Sequence, residues 1–208
     1  MSHPQDAAAA TALEAGREAL VDGDLAAALD HFAAVVATAP DRTDGFGHLG
    51  ALYAGLGELA RAEGCYDHVL AVDPADTDAR YNRGVVRMRA ERYDAAHDDF
   101  AAVSAALPAD PDARNNLAVA AFMRGHFPEA RRELDTVLAV APDHVSAVLN
   151  LCDVAMAQGD PDAAIAACDA CLAVRWDQEV QQRRIALGAD AAARALAAAR
   201  PLAAAATA

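Results

Sequence analysis

Apolar side chains recur along this 208-residue chain at a constant interval of 34 positions. Two sets of larger side chains keep the interval: Phe32, Tyr66, Phe100 and Leu134, and Val35, Val69, Val103 and Val137. A constant period of this length is typical of proteins built from stacked copies of one supersecondary unit. No segment alternates apolar and polar residues as a half-buried strand does. The pattern therefore predicts an all-α chain of tandem repeats.

Small residues and helix breakers keep the same interval. Two helices can approach closely where one presents glycine and the other alanine, and a larger neighbour fills the space beside that contact. A proline after the second helix ends it, and a glycine between the helices can adopt the left-handed conformation. The sets are Gly16, Gly50 and Gly84, continued by Ala118 and Cys152; Ala28, Ala62, Ala96, Ala130 and Ala164; Pro40, Pro74, Pro108 and Pro142; and Gly23, Gly57, Gly125 and Gly159, which Glu91 interrupts.

These markers predict two helices in each repeat. Asp24 and Asp160 suit N-cap positions, and Pro128 and Pro161 suit the first helical turn. The predicted pairs are 10–22 with 25–38, 44–56 with 59–72, 78–90 with 93–106, 112–124 with 127–140, and 146–158 with 161–174.

The second repeat, from Thr43 to Asp76, carries the fullest set of these residues. Its positions are Phe46, Leu49, Gly50, Tyr53, Ala62, Tyr66 and Pro74. The set resembles the tetratricopeptide repeat (TPR), with an aromatic residue, Leu-Gly, Tyr, Ala-x3-Phe and Pro over about 34 residues. The resemblance covers residues 9–176. It implies a right-handed α-solenoid of antiparallel helix pairs, the TPR superhelix.

The two ends of the chain depart from the repeats. Residues 1–8 are expected to form a loose N-terminal head, and the alanine-rich residues 201–208 a frayed tail. Residues 177–200 are expected to form a C-terminal capping helix, packing through Val180, Ile185 and Leu187 while polar residues face water. The five repeats are placed at residues 9–42, 43–76, 77–110, 111–144 and 145–176.

Charge narrows the classes of partner. The net charge of −14 argues against nucleic acid and anionic membrane surfaces, which both require a positive protein surface. No run approaches the ~18 apolar residues that a membrane span requires. All 17 basic residues are arginine, which indicates the coding bias of a GC-rich, bacterial genome. With no export signal recognised, the expected location is the cytoplasm.

The resemblance implies a partner-binding groove lined by the first helices of successive repeats. Asn82, Asn116 and Asn150 occupy one repeated position there, and His48 occupies it in the second repeat. A side-chain amide both donates and accepts, so it can bind a peptide backbone. The alternative is that asparagine is common at this position and binds nothing here.

Arginines add a second set of groove candidates. We expect Arg87, Arg89 and Arg124 to favour acidic groups on a bound protein segment. The alternative is that Arg80, Arg83 and Arg87 pack between helices, which leaves Arg89 as the safest candidate. The Lys/Asn/Arg set that clamps the carboxylates of a chaperone tail has no match, since the chain lacks lysine.

The cysteines and histidines do not form a chemical motif. Cys152, Cys168 and Cys171 occupy core positions of the fifth repeat and are interpreted as small buried hydrophobic residues. Structural zinc requires four ligands, and no fourth is evident. The seven histidines lack metal-binding spacing. We expect no catalytic residue, metal or cofactor.

Three function classes follow from these observations. The first is a non-catalytic scaffold or adaptor that binds a segment of a partner protein in its groove. The second is a self-assembling structural repeat protein. The third is an enzyme or metalloprotein, which only the cysteine cluster supports. The first is the prediction.

Overall fold

The computed structural model describes the backbone of residues 4–206 and the side chains of residues 5–191 and 193. Every regular secondary-structure element in this range is an α-helix. The helices are α1 (Pro4–Val21), α2 (Leu25–Thr38), α3 (Thr43–Gly55), α4 (Leu59–Val72), α5 (Thr77–Arg89), α6 (Tyr93–Ala106), α7 (Pro111–Met123), α8 (Phe127–Val140), α9 (Val145–Ala157), α10 (Pro161–Val174) and α11 (Gln178–Ala206).

Local signals explain where these helices begin. The Asp24 carboxylate accepts a hydrogen bond from the Ala27 amide, and Asp160 does the same for Ala163. Both predicted N-caps are therefore confirmed. Pro128 and Pro161 lie in the first turns of α8 and α10, where a missing N–H costs nothing. None of the described helices is long and apolar enough to cross a membrane.

The turn between the helices of each repeat requires a left-handed residue. Gly57, for example, has φ of +80°. Glu91 occupies the equivalent position with φ of +58°, which is unfavourable for a residue that carries a Cβ. Glu91 therefore replaces the glycine at this position, while the turn keeps its left-handed conformation.

The described residues up to 106 form the first of two compact units, and helices α1 to α6 pack there in sequence. A Cβ on Gly50 would lie 2.8 Å from the Tyr66 ring, and one on Gly84 would lie 2.9 Å from the Phe100 ring. The sequence pattern placed the aromatic residue beside a glycine–alanine contact, whereas the ring itself lies against the glycine. Glycine is required here because the partner helix presents a ring at van der Waals distance.

The described residues from 107 onward form the second unit, in which helices α7 to α11 pack in sequence. Ala118 and Leu134, both fully buried, occupy the positions that hold glycine and an aromatic residue in the first unit. The long helix α11 packs against α10 and α9. Both units are built from consecutive helix pairs, as expected for an all-α solenoid.

The N-terminal end differs from prediction. Helix α1 begins at Pro4, so residues 4–8 are helical and not a loose head. A proline is favourable at the first helical position, and the alanines that follow have the highest helix propensity. Residues 1–3 lie outside the described range.

The C-terminal end differs in two ways. Helix α11 continues past Pro201 to Ala206, so the tail predicted to be frayed from residue 201 is helical up to 206 in this alanine-rich sequence; residues 207–208 lie outside the described range. Val180 and Leu187 are buried as predicted, but Ile185 is 56% exposed. Residues seven apart share a helix face, whereas Ile185 is displaced by about 140° from Val180.

Candidate functional site

Two of the predicted groove residues line one cleft in the first unit. The cleft has a volume of ≈ 450 Å³, and its walls come mainly from the first helices α3 and α5. Asn82 is exposed on the α5 side, and His48 lies half-buried on the α3 side. The lining residues are Thr43, Asp44, Gly47, His48, Ala51, Tyr66, Val69, Asp76, Asp78, Ala79 and Asn82.

His48 is held in place by two neighbours. Its ring stacks on Phe32 with centroids 4.6 Å apart, and Arg17 Nε donates to its Nε2 atom over 3.5 Å. Burial, followed by the nearby Arg17 charge, lowers the pKa of His48. The imidazole is therefore neutral at pH 7 and adds no positive charge to the cleft.

Carboxylates dominate the charge of this cleft. Arg42 Nε donates to Asp44 Oδ1 over 3.2 Å, and this hydrogen bond holds the pKa of Asp44 below its usual value. Asp76 caps α5 by accepting from the Ala79 amide over 2.8 Å. Asp78 is exposed and makes no ion pair with any described residue. The cleft therefore has an excess of negative charge.

Tyr66 also lines the cleft, although the sequence pattern placed it only in the core. It is 3% exposed, and burial raises its pKa to about 12. The equivalent positions in the other repeats hold Phe32, Phe100, Leu134 and Cys168, none of which has a hydroxyl. That difference between repeats is the signal in the sequence that sets Tyr66 apart.

The predicted groove arginines of α5 are engaged elsewhere. Arg87 donates from Nε to Glu63 over 2.8 Å and from Nη1 to Asp99 over 2.7 Å. Arg83 binds both carboxylate oxygens of Asp99. These guanidinium groups pack between α4, α5 and α6, as the alternative interpretation expected. Arg89, although exposed, donates to the Ala54 carbonyl at the end of α3 over 2.6 Å.

The second unit has a different pocket between its first helices α7 and α9. It is mainly apolar, with a volume of ≈ 200 Å³. At its edge, Asn150 Nδ2 donates to Asn115 Oδ1 over 2.9 Å, and Asn115 is buried. Asn116 lies on α7 and Arg124 at its end, and both have interaction partners within the protein. The lining residues are Ala118, Val119, Phe122, Met123, Leu134, Asn150, Asp153 and Val154.

The cysteine cluster lies in the core of the second unit. Cys152 and Cys168 are fully buried with their sulfur atoms 3.3 Å apart, and Cys171 lies beside them. The hydrogen bond to Cys168 and burial raise the pKa of the Cys152 thiol, and burial raises that of Cys171. Among the described residues, no group of three or more His, Cys, Asp or Glu side chains could hold a metal ion.

Solved structures with this fold include several repeat proteins. MamA 41-end from Desulfovibrio magneticus RS-1 is 19% identical, with a TM-score of 0.75 over 89% of this chain and 98% of that one. PilF of Pseudomonas aeruginosa is 16% identical, with a TM-score of 0.69 over 90% and 92%. YrrB, described as a TPR protein with an unusual peptide-binding site, is 16% identical, with a TM-score of 0.69 over 79% and 85%.

Sequence profiles give the family directly. Two profiles described as tetratricopeptide repeat match residues 87–152 and 49–116. Together they span residues 49–152, which is half of the chain. No curated protein matches the sequence. The chain therefore belongs to the tetratricopeptide repeat family.

Proposed function

We propose that this protein is a non-catalytic scaffold that binds a segment of a partner protein on the first helices of its repeats. The observation that carries the proposal is the cleft between α3 and α5, where His48 and Asn82 are accessible. The described peptide-binding site of YrrB, a protein of similar fold, supports the same kind of use. Cytoplasmic location is part of the proposal, and four free cysteines are compatible with a reducing compartment.

The polar residues and the apolar pocket would serve different parts of the segment. The Asn82 amide can donate to a peptide carbonyl and accept from a peptide N–H. In the second unit, the pocket beside Asn150 would take an apolar side chain, and Asn116 completes the proposed asparagine set. Arg87 is omitted from the site because its guanidinium is held in ion pairs. Arg89 and Arg124 stay as proposed contacts near the site.

The proposal can be tested by selecting peptides from a phage-displayed library against the purified protein. Binding of a selected peptide to ¹⁵N-labelled protein would then be mapped by NMR. We expect the shifted amides to lie on first helices such as α3, α5, α7 and α9. Asn82→Ala should weaken a peptide that maps to the first unit, whereas Asp98→Ala, on the exposed face of the second helix α6, should not.

Peptides that map to the second helices α4, α6, α8 and α10 would contradict the proposal. A protein that binds no peptide but self-associates through the first helices would instead support the self-assembling alternative. Sedimentation across a concentration series would detect that association.

A further inference from the structure

We propose that the cleft between α3 and α5 takes the side chain of an arginine in the bound segment. The inference rests on the proposed function, because it assigns the chemistry of one side chain within the same site. It reverses the expectation that acidic groups are preferred. That expectation was based on Arg87, Arg89 and Arg124, and the structure engages Arg87 and Arg89 in contacts within the protein.

Charge is the first argument. Asp44, Asp76 and Asp78 all line the cleft. Arg42 neutralises Asp44, but neither of the other two carboxylates forms an ion pair with a described residue. His48 is neutral, since burial lowers its pKa. A cation entering the cleft therefore meets two carboxylates, Asp76 and Asp78, that lack an ion-pair partner among the described residues.

The Tyr66 hydroxyl is the second and independent argument. It makes no hydrogen bond with any described residue, although the residue is 97% buried. No polar side-chain atom in the described part of the chain is both fully buried and unbonded, so this hydroxyl keeps accessible surface. Tyr66 is among the residues that line the cleft. A hydroxyl that bonds no protein group, on a tyrosine that lines the cleft, is free to donate to or accept from a ligand there.

The equivalent positions of the neighbouring repeats lack both features. Asp112 corresponds to Asp78 one repeat later, but its carboxylate lies 3.1 Å from His144 Nε2. Phe100 corresponds to Tyr66 and has no hydroxyl. The unpaired carboxylate and the unbonded hydroxyl occur together at this cleft.

A guanidinium fits this arrangement better than an ammonium. Its five N–H donors lie in a plane and can reach separate acceptors at once, whereas an ammonium is a compact point charge. The acceptors here are the Asp78 carboxylate, the Tyr66 hydroxyl oxygen and the Asn82 carbonyl oxygen, which come from α5 and α4. A volume of ≈ 450 Å³ is also sufficient for a long side chain.

The test uses the full-length protein and four capped tripeptides, Ac-Gly-X-Gly-NH2, in which X is arginine, citrulline, lysine or glutamate. Binding would be followed by ¹H–¹⁵N NMR at low salt. We expect the arginine peptide to shift amides of residues 43–82 and to bind about tenfold more tightly than the citrulline peptide, which has the same shape without the charge. Lysine should bind more weakly than arginine, and glutamate should not bind.

Two variants and one control refine the assignment. Asp78→Asn and Tyr66→Phe should each weaken the arginine peptide by about threefold to tenfold, since each removes one polar contact. Asp112→Asn removes a carboxylate from the same helical position of α7 and should change nothing. Tyr66→Phe preserves the ring against Gly50, so folding should be retained, which thermal unfolding would verify.

Equal affinity for arginine and citrulline peptides would overturn the inference, and so would lysine binding as tightly as arginine. Failure of the inference can be distinguished from failure of the proposed function. Library peptides that map to α3 and α5 without a preference for arginine would remove only the inference. Library peptides that map to second helices would remove the function as well.

Discussion

In each repeat, a small residue of the first helix is paired with a larger or equal residue of the second helix sixteen positions later. The sizes of the two residues vary in opposite directions from repeat to repeat. Gly84 faces the Phe100 ring in the third repeat. The fourth repeat holds Ala118 and Leu134, and the fifth holds Cys152 and Cys168, whose sulfur atoms lie 3.3 Å apart. As the first residue grows, the second becomes smaller. The two side chains therefore fill a common volume.

A substitution pair tests this shared volume. Gly84→Ala should destabilise the protein by roughly 1–3 kcal/mol, because the new methyl group would meet the buried Phe100 ring. Adding Phe100→Leu should recover much of that loss, since it recreates the alanine–leucine pair of the fourth repeat. Urea unfolding of both single variants and the double variant would measure the coupling. Additive free energies would contradict the shared volume.

Some residue roles could be predicted from the sequence, and others depend on contacts between repeats. The 34-residue period predicted the buried positions Phe32, Phe100 and Leu134. It also placed Asn150 at a repeated position, but it did not reveal the hydrogen bond to Asn115. Asn115 has no polar counterpart at most equivalent positions, so the period gives no signal for it.

At the scale of elements, helices α4, α5 and α6 are joined by an ion-pair network. Asp99 on α6 is 2% exposed and accepts hydrogen bonds from both Arg83 and Arg87 on α5. Arg87 also reaches Glu63 on α4. The carboxylate partners of the basic helix thus come from the helices on either side.

Removing the central carboxylate should have a large effect. Asp99→Ala would remove the carboxylate that two largely buried guanidinium groups share, while Arg83 keeps Asp67 and Arg87 keeps Glu63. We expect a loss of about 1–3 kcal/mol in the free energy of unfolding. The control is Asp98→Ala on the same helix, whose side chain is 86% exposed. It should change stability by less than about 0.5 kcal/mol. Similar unfolding midpoints for the two variants would contradict the structural role of Asp99.

The helices themselves were largely predictable, because each is marked by a repeated glycine or proline. From α2 to α10 their ends lie within one residue of the predicted ones. The engagement of Arg83 and Arg87 was less predictable. Their partners lie 12 to 24 residues away on two other helices, and a charge count along one helix does not include them.

At the scale of the whole molecule, the chain comprises two compact units, and α11 completes the second. Val180 and Leu187 of α11 are buried in one cluster with Cys152, Cys168 and Cys171. Arg183 and Arg184 extend the contact by pairing with Asp153 on α9 and Asp169 on α10. We propose that α11 is the cap that this repeat array requires.

Truncation tests the capping role. Removing residues 178–208 should expose the cysteine cluster and destabilise the second unit. The thiols, which are shielded and have raised pKa values at Cys152 and Cys171, should then react much faster with a thiol-specific reagent such as Ellman's reagent. Removing only residues 194–208 keeps Val180 and Leu187 and should leave the reaction slow. Equal rates for the two truncated forms would argue against capping.

The paired sizes at the helix contact also restrict how such repeats can diverge after duplication. Starting from glycine opposite phenylalanine, alanine introduced first would collide with the ring. Leucine introduced first would leave a void, which costs less where neighbours can relax and which a later methyl group fills. Ala118 and Leu134 are therefore most accessible by way of the leucine intermediate. The effect of each substitution on stability depends on whether the other is already present. The history of a repeat therefore limits which sequences it can reach.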